Sequence, residues 1–166
     1  KSSFTDRAED TLGRATLALK RRPSAQATAE ILRAIEECGP SLARGVLTAL
    51  EVNVTDILDR ARLISSKRGS ELPLRRIQAH RATMDIIVRR ATEEAELLGD
   101  RRVGTEHLLL AILSIHDDPT TSALRVAGVS QDTARGTLRR LSASWTDDGL
   151  ARPRASVAGV RSTPVH

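Results

Sequence analysis

Val103-Gly104-Thr105-Glu106-His107-Leu108-Leu109-Leu110-Ala111-Ile112-Leu113 reads as the start of a helix. Gly104 permits a turn, and the Thr105 hydroxyl can cap the first free N–H groups. Glu106 then falls in the first turn, where the helix dipole favours negative charge. The apolar run that follows is too dense for a helix with one face in water, so burial on most sides is expected.

Working outward from this stretch, the chain repeats itself, once over residues 4–63 and again over residues 77–141. Each copy reads as four helices. In the first, Thr5 is an N-cap with Asp6 in the first turn, and Ala8, Leu12, Ala15 and Leu19 form one stripe at helical spacing. Lys20-Arg21-Arg22 makes a basic last turn before Pro23. A second helix covers residues 27–38 with Ile31, Leu32 and Ile35. Gly39-Pro40 breaks it, and Pro40 is expected to open a third helix to residue 50. Asn53 caps the fourth, carrying Ile57, Leu58, Ala61 and Leu63. In the second copy a long helix carries Met84, Ile87, Val88, Ala91, Ala95 and Leu98 and ends at Gly99. Thr105 starts the next, Asp118-Pro119 opens a third, and Ser130 caps a fourth to about residue 141. The polar, basic residues 64–76 read as a linker. Residues 146–166, rich in Gly, Pro, Ser, Thr, Val and Arg without periodicity, read as a disordered tail.

Composition agrees. Phe4 and Trp145 are the only aromatic residues among 166, and strand signals are missing. The core must come from Leu, Ile, Val and Ala, within one domain over residues 1–145. The fold class is therefore all-α. The net charge of +5 comes mostly from arginine. It could attract nucleic acid or acidic proteins, but the aromatic platforms of strand-binding proteins are absent. The basic pairs Arg75-Arg76, Arg89-Arg90, Arg101-Arg102 and Arg139-Arg140 read as solvated helix surface, with a nucleic-acid-associated protein as the alternative. Cys38 stands alone, which excludes an internal disulfide. No signal peptide and no membrane span is visible, so a cytoplasmic location is expected.

The motifs Phe4-Thr5-Asp6-Arg7-Ala8, Ala43-Arg44-Gly45-Val46-Leu47 with Leu50-Glu51-Val52, and Ala95-Glu96-Leu97-Leu98-Gly99 leading into Val103-Gly104-Thr105-Glu106-His107 resemble the Clp N-terminal repeat domain. This is the module found ahead of the ATPase rings of ClpC- and ClpA-type unfoldases. The resemblance covers about residues 4–141 and implies two tandem four-helix repeats related by a pseudo-twofold. It implies protein recognition in the Clp proteolytic system: binding of substrates, adaptors or peptide ligands, by a stand-alone adaptor or decoy or by the N-terminal piece of a Clp ATPase subunit. No Gly-x-x-x-x-Gly-Lys-Ser/Thr loop is present, so no enzymatic activity and no cofactor are expected of these residues.

In ClpC-type relatives the module binds phosphoarginine. The Thr that caps the first helix of a repeat helps to hold the phosphate, and the Glu of Gly-Thr-Glu-His pairs with the guanidinium. The resemblance therefore marks Thr5, Glu30, Arg81, Thr105 and Glu106 as the candidate ligand-binding residues. Paired within each copy, neither pocket is complete. The first keeps Thr5 but has Ala29 where the Glu belongs, with Glu30 one residue on. The second keeps Glu106 but has Arg81 for the Thr, where Arg81 could itself contact a phosphate. Thr5, Thr105 and Glu106 also serve simply as helix-start residues.

Other constellations carry less. His80, His107, His116 and His166 include no pair at the spacing of a helical zinc site, and no metal site is expected. His107 is expected to pack or hydrogen-bond at its helix start. Cys38, near a helix C-terminus, is expected to be a small buried apolar residue rather than a nucleophile. Asp118 reads as a cap, and Asp147-Asp148 falls in the tail.

Overall fold

The computed structural model describes residues 3–68 and 73–143, with only the backbone of Pro73. Those residues form eight helices: α1 Asp6–Arg21, α2 Ala27–Glu37, α3 Leu42–Ala49, α4 Val54–Ser66, α5 Pro73–Leu98, α6 Thr105–Leu113, α7 Pro119–Val126 and α8 Gln131–Ser142. The all-α expectation holds, apart from one isolated parallel bridge between Phe4 and Val103. The expected tail, Trp145 and Asp147-Asp148 lie outside the described residues.

Most helix starts are where local chemistry puts them. The side chains of Thr5, Asn53, Asp118 and Ser130 accept from the backbone N–H three residues on, in α1, α4, α7 and α8. Pro119 takes the first position of α7, where its missing N–H is not needed. Three expectations are corrected. Pro40 does not open α3: Ser41 is the cap, its hydroxyl accepting from Arg44 N–H at 3.2 Å, and the helix begins at Leu42. A side-chain acceptor at residue 41 decides the start over the pre-set φ of Pro40. Residues 64–66 belong to α4 and 73–76 to α5, so both ends of the expected linker are helical. Arg and Leu are good helix formers, and Pro73 suits a first helical turn. Thr105 is the first residue of α6, not its cap, and the cap position is held by Gly104.

The duplication is visible in structure. After α3, Glu51 N–H bonds Thr48 O and Val52 N–H bonds Leu47 O; after α7, Gly128 N–H bonds Arg125 O and Val129 N–H bonds Leu124 O. Both turns need a left-handed residue, Gly128 at φ +85° and Glu51 at φ +57°. Burial sets the register of α2 against α6. Thr28, Ile31, Leu32 and Ile35 are closed to solvent, as are Thr105, Leu108, Leu109 and Ile112.

The copies do not fold side by side. α3 packs on α8 and α6, α4 on α7, α1 on α6, and α2 on α5. This exchange is what an approximate twofold produces. It yields one continuous core of aliphatic side chains from both copies. Every residue of α6 is buried, as its apolar run requires.

Candidate functional site

The isolated bridge between Phe4 and Val103 brings the starts of α1 and α6 together at the candidate site. Thr5 N–H donates to Val103 O at 2.9 Å, and Val103 N–H donates to Ser3 O at 2.7 Å. Arg102 locks this pairing from outside, its guanidinium donating to Phe4 O at 3.1 Å and 2.5 Å and to Asp6 at 3.3 Å. The start of α1 is thereby fixed beside the residues that lead into α6. Thr5 and the Gly104–Glu106 corner, which come from different copies, are brought together. The expected pairing within each copy is not what the chain builds.

At the start of α6 the side chains are closely interlocked. His107 is fully buried. Its Nδ1 accepts from Gly104 N–H at 2.8 Å, and its Nε2 faces Asp100 Oδ2 at 3.0 Å. A backbone N–H can only donate, so Nδ1 is the acceptor and the neutral ring carries its proton on Nε2, donated to Asp100. The expectation that His107 hydrogen-bonds at its helix start is met.

Glu106 folds back over the helix start and is 7% exposed. A Cβ on Gly104 would lie 2.6 Å from both Cδ and Oε1 of that carboxylate, so any larger residue would push the Glu106 side chain aside; the φ of −99° itself makes no demand for glycine. The Thr105 hydroxyl, instead of capping its own helix, accepts from Ala43 N–H at 3.3 Å in the first turn of α3. Its counterpart Thr28 donates to both oxygens of Asp118, the α7 cap, at 3.0 Å. Each copy's second helix thus pins the start of the other copy's third.

Asp100, Glu106 and His107 place one ligand atom each within 4.8 Å of one another. Their sequence spacing gave no hint of this grouping, because a loop residue folds back to meet the helix. In the tautomer above both ring nitrogens are engaged, so the cluster serves as a capping network, and a metal would have to displace one of its hydrogen bonds.

The remaining two candidates are elsewhere. Glu30 occupies the register position of His107, and Ala29 that of Glu106. Glu30 is 3% exposed and is held by its own arginines, Arg22 at 3.3 Å and Arg33 at 3.6 Å. Arg81 lies in the interior of α5, two turns beyond its start, where the backbone N–H groups are committed to the helix. It lines a groove of about 330 Å³ between α1 and α5 with Lys20, Pro23, His80 and Met84, and His80 Nε2 sits 2.8 Å from Pro23 O. Glu30 and Arg81 line different cavities.

Cys38 is half-buried at the end of α2, not fully buried as expected. Its thiol donates to Asp10 at 3.2 Å and accepts from Thr11 at 3.5 Å. Burial, with Asp10 beside it, pushes the thiol pKa up, while that bond and Arg14 hold Asp10 below the usual carboxylate range.

Eight helices in two exchanged halves define a duplicated helical-repeat domain. The chain belongs to the Clp repeat (R) N-terminal domain family, whose model matches residues 3–143. Domains of this family are non-catalytic and mediate protein interactions in Clp-type ATPases. Among solved structures the chain is similar to the Hsp104 N-terminal domain from Candida albicans. That likeness has a TM-score of 0.62 at 19% identity, over 90% of this chain and 97% of the other. No curated protein matches the chain at a significant level. Among the described residues no helix is long and apolar enough to cross a membrane.

Proposed function

We propose that this domain docks protein segments for the Clp proteolytic system, as a substrate- or adaptor-binding module, and that its docking place is the corner where α1 and α6 start. The bridge between Phe4 and Val103 carries the reading. It unites Thr5, at a helix N-terminus suited to an anion, with Glu106, a carboxylate suited to a guanidinium. Phosphoarginine, the ligand of ClpC-type relatives, presents both groups together.

The equivalent corner, between α5 of the second copy and α2 of the first, speaks against a matching pocket there. Ala29 replaces the carboxylate, and the extension of α5 past Arg81 removes the free helix end. One site per chain is the consequence. The role does not depend on what precedes or follows these residues, and a cytoplasmic setting belongs to the same proposal.

Pull-down from a cell extract with the purified domain tests the docking role. Recovery of Clp components or Clp substrates, lost on mutating Thr5 and Glu106 together, is the expected result. Recovery of neither would overturn it.

A further inference from the structure

Between α2 and α4 lies a cavity of about 350 Å³. Arg22, Arg33 and Arg62 line it, with Glu30 the one carboxylate. Three guanidinium groups against one acid leave two positive charges facing the space. Arg22 and Arg33 both reach Glu30. Arg62, from α4, has no carboxylate partner among the described residues.

Two buried polar atoms in this wall lack hydrogen bonds: Arg33 Nε and Gln26 Oε1. A Glu30 carboxylate oxygen stands 3.6 Å from Arg33 Nε, beyond hydrogen-bond reach. A buried guanidinium N–H without an acceptor is costly, so Arg33 is poorly satisfied where it stands. Gln26 donates through Nε2 to Ser65 Oγ at 2.9 Å. Turning the amide over would let the Ser65 hydroxyl donate to Oε1 and would leave the two Nε2 protons in the cavity wall. The first turn of α2 adds a positive dipole end, since Gln26 caps it with no side-chain bond.

We infer that this cavity is a binding site for an oxyanion displayed by a peptide, either a phosphate ester or a C-terminal carboxylate. Arg62 and Arg22 clamp it, with the first turn of α2 supplying a positive dipole end in the wall. The site is independent of the α1/α6 corner, and its chemistry is the opposite of a guanidinium-binding pocket.

The test is a backbone-NMR titration of the full chain with inorganic phosphate and, separately, sodium acetate, against sodium chloride at equal ionic strength. Saturable shifts at the amides of residues 27–30 and 65, weakened about tenfold in Arg62→Gln, are expected for loss of one charge-assisted bond. Arg22→Gln gives a second reading on the other wall, and the dispersion of the amide spectrum verifies folding in each. Phosphate binding more tightly than acetate assigns the phosphate ester; equal binding assigns the carboxylate. Shifts that match chloride, or that persist unchanged in both variants, overturn the inference.

Discussion

Gly104→Ala tests whether the start of α6 is held by a carboxylate folded over a glycine. The added Cβ would stand 2.6 Å from Glu106 Cδ and Oε1, well inside ordinary contact of about 3.5–4.0 Å. The carboxylate ends a flexible chain, so it can swing away, and the penalty is capped at what its present place contributes. A partly buried acid at a helix N-terminus is worth up to about 2 kcal/mol, and alanine as a cap is worse than glycine by roughly 0.5 kcal/mol. Gly104→Ala should therefore cost about 2 kcal/mol. Glu106→Ala removes the same interaction and should cost a similar amount. The double variant should cost about 2 kcal/mol as well, not the sum of about 4 kcal/mol, because each change cancels the same contact. Urea unfolding reads this directly: with m of about 2 kcal/mol/M, the midpoint falls by about 1 M in all three variants. Additive losses, or a Gly104→Ala protein as stable as the parent, would refute the reasoning.

Four further outcomes follow from the structure. His107→Ala deletes a fully buried ring with both nitrogens engaged and should cost about 3 kcal/mol or more in urea unfolding. Thr28→Val keeps the volume but removes the bond to Asp118, and a loss of about 1 kcal/mol by thermal unfolding is expected. Glu51→Gly relieves a left-handed residue where the other copy already has Gly128; it should be neutral or stabilise by up to about 1 kcal/mol in the same assay. Cys38 carries a raised thiol pKa, so at pH 8 it should be alkylated by iodoacetamide more slowly than free cysteine. Asp10→Asn removes a neighbour that raises that pKa and should speed the reaction, measured by mass spectrometry.

Much of this fold is legible in the sequence because its signals are local. Caps such as Thr5, Asn53, Asp118 and Ser130 sit next to the helices they start, and the density of the run after Thr105 announces burial. What stays hidden depends on distant residues. Thr105 has the chemistry of a cap, but Ala43, 62 positions away, takes its hydroxyl. The length of α5 is hidden by its composition, since exposed basic residues suit a helix as well as a linker. The candidate site was half legible: Thr5 and Glu106 carry a motif, but only the bridge from Phe4 to Val103 sets the starts of their helices side by side. The Asp100–His107 contact and the reach of Arg22 to Glu30 have no sequence signal, because each joins a loop residue to a helix through space, whereas Arg33 lies three residues after Glu30 on the same helix.

The most direct measurement is a backbone-NMR titration of the domain with phosphoarginine. If the corner between α1 and α6 is the one docking place, saturable shifts will map to residues 5–8 and 104–107, and Thr5→Ala will abolish them. Shifts centred on residues 79–83 instead, or no saturable shift at residues 5–8 and 104–107, would contradict the account.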